Sequence, residues 1–302
     1  WLIIDEFTRA PIDAAFGSLL TTLGGQSDAQ LAVPTDTGGE HRVPLPKDFR
    51  IIGTLNSFDR HFLNQMSEAM KRRFTFIDVL PPSRERAHAE QAIALYNAMR
   101  TLSHNGIRYA VVGEQQAVWD HPAGTITVQR TTSATDVSYS FVATDEAKDT
   151  LESFWQIFSA IRVYRQLGTA QIEAMFVTIL AGVAIGESWT SALDAAFADV
   201  LADQLQVLNK DELRVIVALI KNAGDSTKLL DDIKELKLSP AREQAHIAQL
   251  QTIDPNITAQ KLENVTTAQL KAVFGSDQPN LLTNTSSIFV PRLQALISER
   301  GL

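Results

Sequence analysis

Cysteine is absent from the 302 residues, which removes disulfides, thiolate metal sites and a cysteine nucleophile together. The six histidines stand singly, with no HExxH or comparable pairing, so a structural metal centre has no ligand set to build on. No apolar run reaches the roughly 20 residues that a bilayer-spanning helix needs. The longest nearly apolar stretch, Ala174 to Gly186, reads as a buried helix. A formal net charge of −8 excludes a broadly basic surface that would coat nucleic acid, though a local basic strip or pore is compatible with it. No GxxxxGK[ST] occurs and the dipeptide Gly-Lys appears nowhere, so the backbone cradle and lysine of a phosphate-binding loop are missing.

What is present begins with WLIID, an apolar run closed by an acid, the pattern of a strand buried on both faces of a parallel sheet. Pro11 to Leu23 carries helical spacing and stops at Gly24-Gly25. Gln30 to Pro44 brackets a TDTGGE turn and predicts a hairpin. FRIIGTLN (Phe49 to Asn56) predicts a second buried strand, His61 to Arg73 an amphipathic helix, and FTFIDVL (Phe74 to Leu80) a third strand. Strands alternating with helices define α/β architecture, whose ligands bind beyond the carboxyl ends of the strands; Asp5, Glu6 and Asn56 fall there. After Pro81-Pro82 the chain becomes helix-rich, with helices over Arg84 to Leu102 and Asp145 to Tyr164. Between these two, Tyr109 to Val142 predicts two or three short strands.

Three strings carry chemistry. LIIDEF delivers two consecutive carboxylates to a strand end, and nucleotide hydrolysis needs one acid to hold Mg²⁺ and another to orient or deprotonate water. Asp5 suits the first role and Glu6 the second. IIGTLNSFD places Asn56 at the end of the next strand, where it could hold the same water or a γ-phosphate. MKRRF closes the following helix with a basic cluster. Taken alone, that cluster also complements the helix dipole.

In order and spacing these strings resemble the AAA+ family of P-loop NTPases, in the branch that holds MoxR-type ATPases and the McrB-like GTPases of methylation-dependent restriction systems. DEFTRA is similar to the McrB-like DEINRA, GTLNSFDR to MNTADR, and EAMKRRFTFIDVLPP to ALRRRFSF followed by a proline. MoxR relatives more often show TQNP and LDRF, so the McrB-like side is nearer. Thr8 stands where DEINRA has asparagine, and Ser57-Phe58 where the other motif has Thr-Ala. The resemblance covers residues 1–82. It implies that Asp5 and Glu6 are the Walker B pair, with Asp5 on Mg²⁺, that Asn56 is sensor 1, and that Arg72 or Arg73 is an arginine finger reaching a neighbouring subunit's nucleotide. It also implies that the retained Arg9 lies by the nucleotide. Arg165, within VYRQLGTAQ, is the sensor 2 candidate; the alternative is a cation capping a helix C-terminus.

The expected fold class is therefore α/β: the C-terminal part of a parallel-sheet AAA+ core (1–82), an α-helical lid with inserted strands (83–186) and a helical extension (187–302). The family's phosphate loop precedes Walker B, so the chain is expected to be truncated before it and inactive by itself. The expected activity of the complete protein is hydrolysis of ATP or GTP with Mg²⁺ between subunits of a homo-oligomer, a hexameric ring, in the cytoplasm and away from membrane. The McrB-like side implies a DNA restriction or defence complex, with a nuclease or stimulating subunit as partner and DNA reached through the complex. The MoxR-like side implies a chaperone that remodels protein complexes, and a nonhydrolysing AAA+ scaffold is the reading from another class.

Overall fold

In the computed structural model, which describes residues 1–6, 30–44, 46, 48–55, 68–236, 238–274 and 278–300, the run after Trp1 forms strand β1 (Leu2–Ile4). The hairpin follows as β2 (Gln30–Pro34) and β3 (Glu40–Pro44), antiparallel, with Leu31 opposite Val43 and Val33 opposite His41. Its turn is closed by Thr35, whose Oγ1 accepts from the Gly39 amide at 3.0 Å, and Gly38 supplies the left-handed φ of 81° that the reversal requires. Strand β4 (Ile51–Gly53) returns to lie parallel beside β1. A short helix, α1 (Glu68–Lys71), completes the described elements of a unit that runs Trp1–Val79. The expected helix over Pro11 to Leu23 and the first part of that over His61 to Arg73 lie outside the described residues.

Two expectations change here. Residues 74–80 form no strand, and Val79 is 93% exposed. Apolar β-formers supply propensity, but a strand exists only where a neighbour completes its ladder. The strands β1 and β4 are not buried on both faces either, for Ile3 is 70% exposed and Ile52 is exposed as well. Double burial needs helices on each face of a wide sheet; among the described residues, two paired strands of three residues have no such layers.

The second unit, Leu80–Leu302, starts with helix α2 (Ala87–His104), which buries Leu95, Met99 and Leu102 at helical spacing. A four-stranded antiparallel meander follows, where two or three strands were expected: β5 (Ala110–Val112), β6 (Gln116–His121), β7 (Gly124–Thr132) and β8 (Val137–Ala143). Alternation sets its inner face, where Trp119 pairs with Ile126 and Ala117 with Val128, all fully buried. The sheet is tied to α2 by the Tyr96 hydroxyl donating to the Gly113 carbonyl at 2.9 Å and by His88 stacked on Phe141.

Helices α3 (Asp145–Arg162), α4 (Thr169–Ala184) and α5 (Trp189–Ala196), with the turn that follows α5, pack a cluster of phenylalanines, Phe154, Phe158, Phe176 and Phe197, into the same core. Ala174 to Gly186 thus lies mostly within α4, and no helix of the described residues is long and apolar enough to cross a membrane. Helix α6 (Lys210–Lys221) opens on a capping box in which Asn209 Oδ1 accepts from the amides of Asp211 and Glu212, and Glu212 answers to the Asn209 amide. Its two apolar faces serve two cores. Leu213, Ile216 and Ile220 join the large one, while Val215 and Leu219 join a smaller one built with α7 (Ser226–Glu235), α8 (Pro240–Ile253) and α9 (Thr267–Phe274). The last helix, α10 (Phe289–Glu299), returns to the large core through Phe289 and Leu293. Residues from both sides of 186 therefore share one interior.

Candidate functional site

The parallel register sets Leu2 opposite Ile51, Ile3 opposite Ile52 and Ile4 opposite Gly53. The ladder extends at both ends, with the Leu2 amide donating to the Arg50 carbonyl at 2.9 Å and the Thr54 amide to the Ile4 carbonyl at 3.0 Å. Asp5-Glu6 and Thr54-Leu55 consequently leave the sheet at the same edge, beyond the carboxyl ends of both strands. There the Thr54 hydroxyl donates to Asp5 Oδ1 and accepts from the Glu6 amide at 3.0 Å. Glu6 itself has φ of 52°, a left-handed conformation that costs a non-glycine residue roughly 1–3 kcal/mol. Consecutive side chains of an extended strand point to opposite faces, and the turn at Glu6 ends that alternation at the second acid. Asp5 is exposed and Glu6 half-buried.

Among the described residues no group of three or more His, Cys, Asp or Glu is arranged to hold a metal ion. A magnesium ion bound with nucleotide phosphates asks less, one or two carboxylates with water and phosphate oxygens filling the remaining positions. Asp5 and Glu6 at a sheet edge fit that requirement.

The other expected residues are distributed as follows. Arg72 and Arg73 lie in the turn that ends α1, both exposed, with the Arg72 amide bonded to the Glu68 carbonyl at 3.2 Å. Lys71, at the end of α1, pairs with Glu68 at 2.9 Å. Arg9 and Asn56 fall outside the described residues. Arg165 belongs to the second unit, just past α3, where its amide donates to the Ile161 carbonyl at 3.0 Å and burial pushes its guanidinium below the ordinary value. Arg162, the last residue of α3, donates through Nε to the Leu167 carbonyl at 3.0 Å, in the loop beyond the helix.

Thr54 is the site residue that reading the sequence passes over. Its signal was a hydroxyl two positions before Asn56, on a strand whose parallel neighbour ends in acids.

No protein-family profile and no solved structure matches the chain. The uncharacterized protein YehL of Escherichia coli (strain K12) is 36% identical over 107 residues, which are 35% of this chain and 28% of YehL. The chain thus spans less than a third of that relative's length.

Proposed function

We propose that this chain carries the Walker B-to-sensor portion of an AAA+ nucleoside triphosphatase, nearest the McrB-like branch, that hydrolyses ATP or GTP at sites completed by neighbouring subunits of a ring. The observation that carries this reading is the parallel pairing of β1 with β4, which brings Asp5, Glu6 and the strand end leading to Asn56 to one sheet edge. The motif likeness adds the assignment to a restriction or defence complex.

In this reading Asp5 holds Mg²⁺, which neutralises charge on the phosphates when bound. The Glu6 carboxylate orients the attacking water and accepts its proton, and Asn56 steadies the same water or the γ-phosphate. Arg72 or Arg73 extends to a neighbour's nucleotide, where a guanidinium placed on the transferred phosphoryl group contributes about 10³ to 10⁵ in rate.

The test is Glu6→Gln in the full-length protein, followed by phosphate release and by nucleotide binding. Turnover should fall by a factor on the order of 10² or more while affinity is kept. Hydrolysis at the wild-type rate would refute the assignment.

A further inference from the structure

Thr54 touches both acids through one oxygen, and the chemistry of its partners decides how its proton is used. A hydroxyl has one donor and two acceptor positions. The Glu6 amide can only donate, so the Thr54 oxygen accepts there at 3.0 Å, and its single proton is directed to Asp5 Oδ1. The result is a directed chain from the Glu6 N–H through the Thr54 hydroxyl to the Asp5 carboxylate. Its middle member is well anchored. The Thr54 amide is the last rung of the β1–β4 ladder, bonded to the Ile4 carbonyl at 3.0 Å, and a β-branched side chain has few χ1 choices.

We infer that Thr54 is the positioning residue of the acid pair: its hydroxyl occupies Oδ1 of Asp5, leaving Oδ2 for a divalent cation, and pins the left-handed Glu6 through its amide. This rests on reading Asp5 and Glu6 as the Mg²⁺ and water acids. A role in folding alone does not account for the arrangement well, because Asp5 and Thr54 are both exposed, and hydrogen bonds open to water add little to stability. Outer groups that orient metal-binding carboxylates, by contrast, typically set affinity and activity by about 10- to 100-fold.

The experiment compares Thr54→Val, Thr54→Ala and Thr54→Ser in the full-length protein. Mn²⁺ serves as the probe, its binding read by electron paramagnetic resonance in the presence of a non-hydrolysable nucleotide. Valine and alanine should weaken Mn²⁺ binding by about 10-fold or more and lower kcat with little change in nucleotide KM, with melting temperature unchanged. Serine, which keeps the hydroxyl, should stay within about twofold of wild type on each measure. Wild-type Mn²⁺ affinity in a folded valine or alanine variant overturns the inference, as does a serine variant that fails like valine. Asp5→Ala and Glu6→Gln, run alongside, separate the two levels. If they abolish Mn²⁺ binding and turnover respectively while Thr54→Val is silent, the acids stand and Thr54 does not; if both behave as wild type, the underlying reading falls and Thr54 with it.

Discussion

Replacing Arg162 with alanine would strand the Glu90 carboxylate in the interior of the second unit. Glu90 has 1% of its side chain exposed and receives a two-pronged grip from Arg162, Nη1 to Oε2 at 2.8 Å and Nη2 to Oε1 at 2.7 Å, with the Thr169 hydroxyl on Oε1 at 2.9 Å. The guanidinium also lies over the Phe158 ring, 4.7 Å from its centroid. Arg162→Ala leaves the acid, among the described residues, with the Thr169 hydroxyl in place of a charged partner and removes that stacking, and breaking such a pair costs about 3–5 kcal/mol. For a domain of this size that is a drop of about 6–20 °C in melting temperature. Replacing both members by Glu90→Leu and Arg162→Met should cost far less, about zero or a net gain, because no charge is then left buried. Urea unfolding followed by tryptophan fluorescence suits the measurement, since the Trp155 ring lies 5.6 Å from the Arg162 guanidinium. A loss under about 1 kcal/mol for Arg162→Ala, or a double variant weaker than the single one, would refute the reasoning.

The remaining predictions concern the same unit. Asp194, 2% exposed, accepts from the amides of Ser287, Ile288 and Phe289 and from the hydroxyls of Ser286 and Ser287, so it caps α10 and fastens it to α5. Asp194→Ala should lower stability by about 2–4 kcal/mol, with the fastest new hydrogen exchange at residues 287–289; unchanged protection there would refute this. Tyr164, among the apolar side chains of α6, α7 and α8, has its phenol pushed above its ordinary 10.0 by desolvation first and by the Glu212 charge second. The unfolded chain therefore releases this proton first. The contribution is complete below about pH 10 and is lost as pH rises beyond it, so Tyr164→Phe should flatten the fall in urea stability above about pH 10. An identical slope in the variant would contradict the assignment.

Much of the local structure was legible because it is written in short-range chemistry. The TDTGGE turn set the hairpin at Gln30 to Pro44, and the helical stretch Arg84 to Leu102 and the apolar run Ala174 to Gly186 located α2 and α4. The acid pair at the end of WLIID was visible for the same reason, since a run of β-formers ending in carboxylates shows both the strand and its polar edge. Phe74 to Leu80 misled because strand propensity does not say whether a neighbouring strand is there to pair with.

What the sequence determined by itself was the hairpin, the main helices of the second unit and the charge at the strand ends. These follow from side-chain volume, branching and spacing along the chain. The tertiary structure alone decided that Thr54, some fifty positions from Asp5, would share a hydroxyl between both acids, that Glu90 would meet Arg162, and that α6 would face two cores. Each of these is a contact between distant segments, and a parallel register or a helix crossing is set by how whole surfaces fit together, which no local window of residues contains.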